Sequence, residues 1–133
     1  MGLLTKQQIV NADDARTEDI EVPEWGGTVR VRSLSAKQRD AFEASLVTGE
    51  GKKRKTDLVN VRAKLVAACL VDEQGARLFS DDEAFALGLK SGATMDRVFT
   101  VCQRLAGLSP QDVEELEKNS SPGQDASSPS ISA

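Results

Sequence analysis

The chain has 133 residues, 39% of them hydrophobic and 29% charged, a balance that fits one globular domain and excludes a large multidomain enzyme or an apolar membrane protein. It contains no histidine, which removes Ser-His-Asp and Cys-His nucleophile systems, imidazole general bases and His-ligated metals. The net charge of −4 is unevenly spread: residues 28–64 hold ten basic and four acidic side chains, against seven basic and seventeen acidic elsewhere. Such segregation suits partner docking or self-association, while the acidic total argues against a protein that coats nucleic acid.

The N-terminal MGLLTKQQIV has no basic stretch followed by a long apolar run and no myristoylation signal, so a cytoplasmic protein is expected. Within it, Thr5 and Gln8 form a capping box for a helix of about two turns, with Leu4 and Ile9 as a hydrophobic staple. Residues 18–22 alternate apolar and polar, and after Pro23-Glu24-Trp25-Gly26-Gly27 the alternation resumes through Arg32. This predicts a β-hairpin at about 18–32. Ile20, Val22, Val29 and Val31 share its buried face, and Asp19 and Glu21 oppose Arg30 and Arg32 on the outer one.

A second capping signal at Ser35 and Gln38 opens a helix carrying Phe42 and Leu46 up to Gly49. Gly49 to Lys55 concentrates basic charge without an apolar period, which predicts a mobile loop. Thr56 is expected to cap a long helix on which Leu58, Val59, Val61, Leu65, Val66, Ala68, Cys69 and Leu70 cover more than half the circumference, the signature of a central buried helix. Arg62 falls inside that apolar arc and needs a partner or a route to water. After a turn at Asp72–Gly75, Leu78-Phe79 is placed to pair with Leu70-Val71, and Ser80 caps a helix running to about Leu89. Met95, Val98, Phe99, Cys102, Leu105 and Ala106 then recur at helical spacing on the clearest amphipathic helix of the chain. Gly107 ends it, and Ser109-Pro110 starts a last helix, with a Leu108/Val113 staple, that finishes near Asn119. These elements sum to a mainly α (α+β) fold: a small helical domain over residues 1–119 with an N-terminal β-hairpin, followed by a disordered Ser/Pro-rich tail at 120–133.

No catalytic constellation assembles from these residues, and no cofactor or metal is implied. Asp72-Glu73 and Asp81-Asp82-Glu83 offer carboxylates for a hard cation, but their spacing matches no calcium loop and first-turn acids already suit a helix dipole. Lys52-Lys53-Arg54-Lys55 could contact phosphates, or be a solvated loop. Cys69 and Cys102 lie on apolar helix faces, where reduced thiols act as small hydrophobes; a buried disulfide between them is the alternative. Trp25 at the hairpin tip either anchors an interface or folds back over the core. Arg62 is either a structural ion pair or part of a docking surface.

The stretches 22–32, Arg62-Ala63-Lys64-Leu65-Val66 through Leu70-Val71-Asp72-Glu73-Gln74-Gly75, Leu78-Phe79, and Gly107-Leu108-Ser109 through Val113-Glu114-Glu115-Leu116 resemble the tail assembly chaperones of long-tailed bacteriophages, especially those of actinobacterial phages and prophages. The resemblance implies a non-enzymatic, mostly helical protein of the host bacterial cytoplasm. Such proteins bind the tape-measure protein, keep it soluble, promote tail tube assembly and are absent from the mature virion. It also implies contact with the tail tube protein through a longer, frameshifted form, which would diverge in the segment after Asn119. The expected client surface is Trp25 and the hairpin with Arg30 and Arg32, with Arg62 as a further contact; the amphipathic helix from Met95 through Phe99 to Leu105 is the rival surface if its apolar face is not wholly internal. Homo-oligomers through the basic loop and acidic termini are a further expectation; neither nucleic acid nor membrane is an expected partner. The rival readings are a small helical DNA-binding regulator using residues 52–55 and, more remotely, an enzyme using carboxylates alone.

Overall fold

The computed structural model describes residues 2–49, 51–53, 55–56 and 60–108. Helix α1 (Lys6–Asn11) begins at the expected capping box: Thr5 accepts from the Gln8 amide while the Gln8 side chain accepts from the Thr5 amide. None of its residues is buried. Strands β1 (Thr17–Val22) and β2 (Gly27–Arg32) form the expected antiparallel hairpin, joined by a 3₁₀ turn over Pro23–Trp25. Pro23 supplies a fixed φ at the start of that turn, and Gly26 closes it at φ 85°, a left-handed conformation that a side chain would strain. Val22 and Val31 are fully buried, with Ile20 and Val29 packed beside them, as alternation requires.

Helix α2 (Ala36–Ser45) starts from the Ser35/Gln38 capping box and buries Phe42. The basic stretch after it, expected as a loop, contains a small antiparallel ribbon of β3 (Val47–Thr48) and β4 (Lys55–Thr56), with a 3₁₀ turn at Gly51–Lys53 between them. The central helix consequently starts later than its apolar period implied. Asn60 sits at φ 63° and α3 spans Val61–Cys69, so Thr56 belongs to a strand and is not a cap. Leu58 and Val59 lie outside the described residues. The expected burial holds for Leu65, Val66, Cys69 and Leu70, whereas Val61 and Ala68 are only partly buried and Ala63 and Ala67, outside the expected set, are buried instead.

At Leu70 the chain passes directly from α3 into β5 (Leu70–Val71), which pairs antiparallel with β2 and completes a sheet in the order β1-β2-β5. The anticipated return pairing is also present, as a bridge between Val71 and Arg77 and a hydrogen bond from the Leu78 amide to the Leu70 carbonyl at 3.1 Å. The Ser80 capping box forms with Glu83, but it opens a 3₁₀ turn (Asp81–Glu83) followed by only one turn of α-helix, α4 (Ala84–Leu87). Helix α5 (Gly92–Leu105) packs against α3 and across the inner side of the hairpin. The last helix, the Leu108/Val113 staple and the tail at 120–133 fall on residues outside the description; Leu108 itself is buried.

Cys69 and Cys102 are free thiols at the centre of the α3/α5 contact, both fully buried. Their mutual hydrogen bond, reinforced by burial, pushes the Cys102 thiol far above its usual range, so both act as small core groups. Because α3 fills the middle of the core and α1 fills none of it, the two helices should respond oppositely to truncation. Leu65→Ala is expected to cost about 2–5 kcal/mol in urea unfolding. Ile9→Ser, on a helix with no buried residue, is expected to change the monomer's stability by less than about 0.5 kcal/mol; a larger loss would mean that α1 packs on the domain.

Candidate functional site

Two acidic residues of the hairpin reach across to α5 and fix where Trp25 lies. Arg97 donates from both terminal nitrogens to Glu24, Nη2 to Oε1 at 2.7 Å and Nη1 to Oε2 at 2.9 Å, and the Thr94 hydroxyl donates to Oε2 at 3.4 Å. Arg104 grips Glu18 in the same two-pronged manner at 2.6 and 3.0 Å. The planar guanidinium fork holds orientation as well as charge. Arg97 and Arg104 are two helical turns apart and therefore lie along one face of α5, the face that meets β1. With Glu24 clamped, the adjacent Trp25 is half-buried against the core. The two alternatives for this residue thus combine: part of the ring closes the core beneath the hairpin tip and part remains in solvent.

The Arg97 hydrogen bonds, with smaller help from the backbone and Thr94, hold the Glu24 carboxyl at about 2, below its ordinary 4.5. Arg104 lowers Glu18 and Arg30 lowers Asp19 in the same direction, again mainly through direct hydrogen bonds.

The remaining hairpin charges lie on the outer sheet face. Arg30 stands opposite Asp19 and donates to it at 2.7 and 3.1 Å, as strand alternation requires. The second expected pair does not form in register: Arg32 faces Thr17, and Glu21 faces Thr28. Arg32 instead extends toward the turn after β5, its Nη1 lying 3.4 Å from where a Cβ on Gly75 would stand.

Arg62, Asp96 and Phe99 meet along the α3/α5 seam. Arg62 Nε is 2.7 Å from Asp96 Oδ1, and its guanidinium lies over the Phe99 ring, 5.8 Å from the centroid. The route to water that the sequence demanded is provided, since the Arg62 side chain remains 59% exposed. Met95, by contrast, is 4% exposed and belongs to the core. The amphipathic period marks it as inward-facing, and α3 and the hairpin cover that face of α5, so Met95 supports the surface from below and offers no contact of its own. The candidate residues therefore occupy three places: Trp25 at the hairpin tip, Arg30 and Arg32 on the sheet's outer face, and Arg62 with Phe99 on the helical seam.

The Glu18–Arg104 and Glu24–Arg97 clamps were missing from the expected set. One signal for them was available: Glu18 shares strand parity with Ile20 and Val22, which puts a carboxylate on the inward face where only a cation can satisfy it.

A family model described as phage tail assembly chaperone matches residues 5–119. The chain belongs to that family. The tail assembly chaperones are non-enzymatic assembly factors, in keeping with a surface made of arginine clamps and a half-buried Trp. A search of curated protein sequences finds no match. Among solved structures, this chaperone is similar to the bacteriophage HK97 tail assembly chaperone, with 20% identity and a TM-score of 0.49 over 74% of this chain and 94% of that one. Among its described residues no helix is long and apolar enough to cross a membrane.

The depressed Glu24 pKa makes the clamp pH-dependent in a defined direction. A carboxyl whose folded pKa lies below its unfolded value contributes stability that is complete above about 4.5 and lost as pH falls toward about 2. Glu24→Gln should therefore be less stable than the parent at neutral pH, with the gap closing through that window in urea titrations. A gap of constant size at every pH would show that the Glu24 charge is immaterial.

Proposed function

We propose that this tail assembly chaperone binds the tape-measure protein of its phage in the host bacterial cytoplasm, keeps it soluble while the tail tube assembles around it, and leaves before the virion is complete. The observation that carries this reading is the family match over residues 5–119. Physical chemistry supports it: a long helical client with exposed apolar stripes aggregates unless those stripes are covered. Contact with the tail tube protein, through a frameshifted longer form that diverges after Asn119, completes the proposal.

The surface offered to the client comprises the solvent-facing part of Trp25, Arg30 and Arg32 on the outer sheet face, and the Arg62–Phe99 pair on the helical seam. Trp and Arg are the side chains that most often dominate an interface, and here both are held in place before binding, which lowers the ordering cost of association. The arginines would complement an acidic face on a client.

The deciding experiment is co-expression with the tape-measure protein of the same genome, followed by measurement of soluble client and co-purification. The client should become soluble in complex with this chain. Trp25→Ala should lower recovery of the complex by about tenfold or more while the purified variant retains its circular dichroism spectrum. A client indifferent to the chain would discard the tape-measure reading. Normal rescue by Trp25→Ala would move the client surface away from the hairpin tip.

A further inference from the structure

The C-terminal end of α5 is held in a fixed direction. It closes in a Schellman turn: the Leu108 amide donates to the Gln103 carbonyl at 3.0 Å and the Gly107 amide to the Arg104 carbonyl at 3.1 Å, with Gly107 at φ 77°. Arg39 of α2 donates to the Ala106 carbonyl at 3.4 Å, and Leu108 is buried. The chain is therefore anchored where residues 109–133, which lie outside the description, begin.

That anchor stands at one side of a groove of about 1050 Å³, bounded by the root of the N-terminal arm, the start of α2 and the end of α5, with Gly107 itself in its wall. Leu34 and Leu105 give it a partly buried apolar floor. Its charged lining is Arg16, Arg32, Lys37 and Arg104 against Asp13 and Asp14, an excess of cations. The segment that leaves the anchor has the opposite balance: residues 109–119 carry Asp112, Glu114, Glu115 and Glu117 against Lys118, with Val113 and Leu116 as their large apolar side chains. The order of charges also agrees. Arg16 is joined to Ser33 by hydrogen bonds of 2.9 and 2.8 Å, which leaves Asp13-Asp14 farther out along the arm, where the end of the segment with Lys118 arrives.

Length and tethering favour the chain's own segment as the occupant. Even coiled as a helix, eleven residues run about 16 Å, close to the roughly 15 Å of α2, so the segment spans the groove from Gly107. Since Leu108 is already seated beside the groove, the segment meets it at an effective concentration on the order of millimolar, and contacts that are individually weak suffice.

We propose that residues 109–119 dock in this groove of their own chain, with Val113 and Leu116 against Leu34 and Leu105 and the carboxylates toward Arg16, Lys37 and Arg104. The docked segment straps the end of α5 to α2 and to the root of the arm. An acidic partner therefore gains Arg16 and Lys37 only by displacing it. This surface is separate from Trp25 and does not depend on the identity of the client.

The test is nuclear magnetic resonance on the full, isotope-labelled chain carrying a nitroxide through Asn119→Cys; Cys69 and Cys102 are buried and stay unlabelled. The amide signals of Asp14, Arg16 and Lys37 should be lost to paramagnetic broadening. In a mixture of isotope-labelled chain without nitroxide and nitroxide-bearing chain without isotope, the same signals should persist. Adding Glu114→Lys with Glu115→Lys to the nitroxide-bearing chain should restore them while the circular dichroism spectrum is kept, and the milder Glu114→Gln with Glu115→Gln should act in the same direction. Signals that persist in the doubly labelled chain would place the segment elsewhere and overturn the proposal. So would loss in the mixed sample, which would give the groove to a second copy, or loss that neither pair of substitutions relieves.

Discussion

The junction at Leu70 sets the geometry of the whole domain. The last residue of the buried helix is followed without a loop by the first residue of a sheet strand, and the Leu70 amide still closes the helix on the Val66 carbonyl while its own backbone is already extended. Leu70 stands opposite Val31 and Val71 opposite Arg30, so the backbone ladder ties the axis of α3 to the hairpin. A two-stranded hairpin is marginal alone; the third strand and the helix behind it make this one a stable layer. Once α3 is anchored there, α5 has one groove to fill, between α3 and the inner hairpin face. The arginine clamps from α5 to Glu18 and Glu24 then fix its rotation.

Features encoded over a few residues were legible in the sequence. The Thr5/Gln8, Ser35/Gln38 and Ser80/Glu83 boxes all form, because each requires only two side chains three positions apart and an available amide. The hairpin and the inward face of α5 were likewise written in simple periods of two and 3.6. What could not be read depends on distant partners. Leu70-Val71 was legible as an extended segment beside Leu78-Phe79, but not as a strand of the hairpin sheet, because its principal partner is β2, far away in sequence. The start of α3 was misplaced because Leu58, Val59 and Val61 continue an apolar period across Asn60, although Asn is among the few residues that adopt φ 63° without large strain. For the surface residues the sequence marked Arg62 as needing a partner but could not name Asp96 or Phe99, which only packing of α3 on α5 brings together.

The core explains why so much function is left at the surface. With Phe 4, Trp 1 and Tyr 0, the described interior is assembled mainly from Leu, Val, Ala and Cys beside Phe42 and Met95, and the small Ala63 and Ala67 occupy buried positions on α3. Small side chains allow close packing, yet they leave a compact domain with few large groups to spend inside. Several of those large groups, Phe85, Leu89, Leu4 and Ile9, are placed outside instead.

A non-enzymatic assembly factor acts through the contacts it makes and breaks. The arrangement of its apolar groups bears on the breaking. Trp25 is half-buried, and the Phe99 ring lies beneath the Arg62 guanidinium, so neither presents a wide dry patch that would hold a partner irreversibly. Charged groups held by ion pairs surround both, and exposed pairs of this kind add orientation and encounter rate more than affinity. For the client proposed above, affinity would then be the sum of several modest contacts, lost as they are released one at a time. The surface is divided accordingly: modest, pre-ordered contacts at the hairpin tip, the outer sheet face and the α3/α5 seam, and large apolar groups left exposed on α1 and around α4.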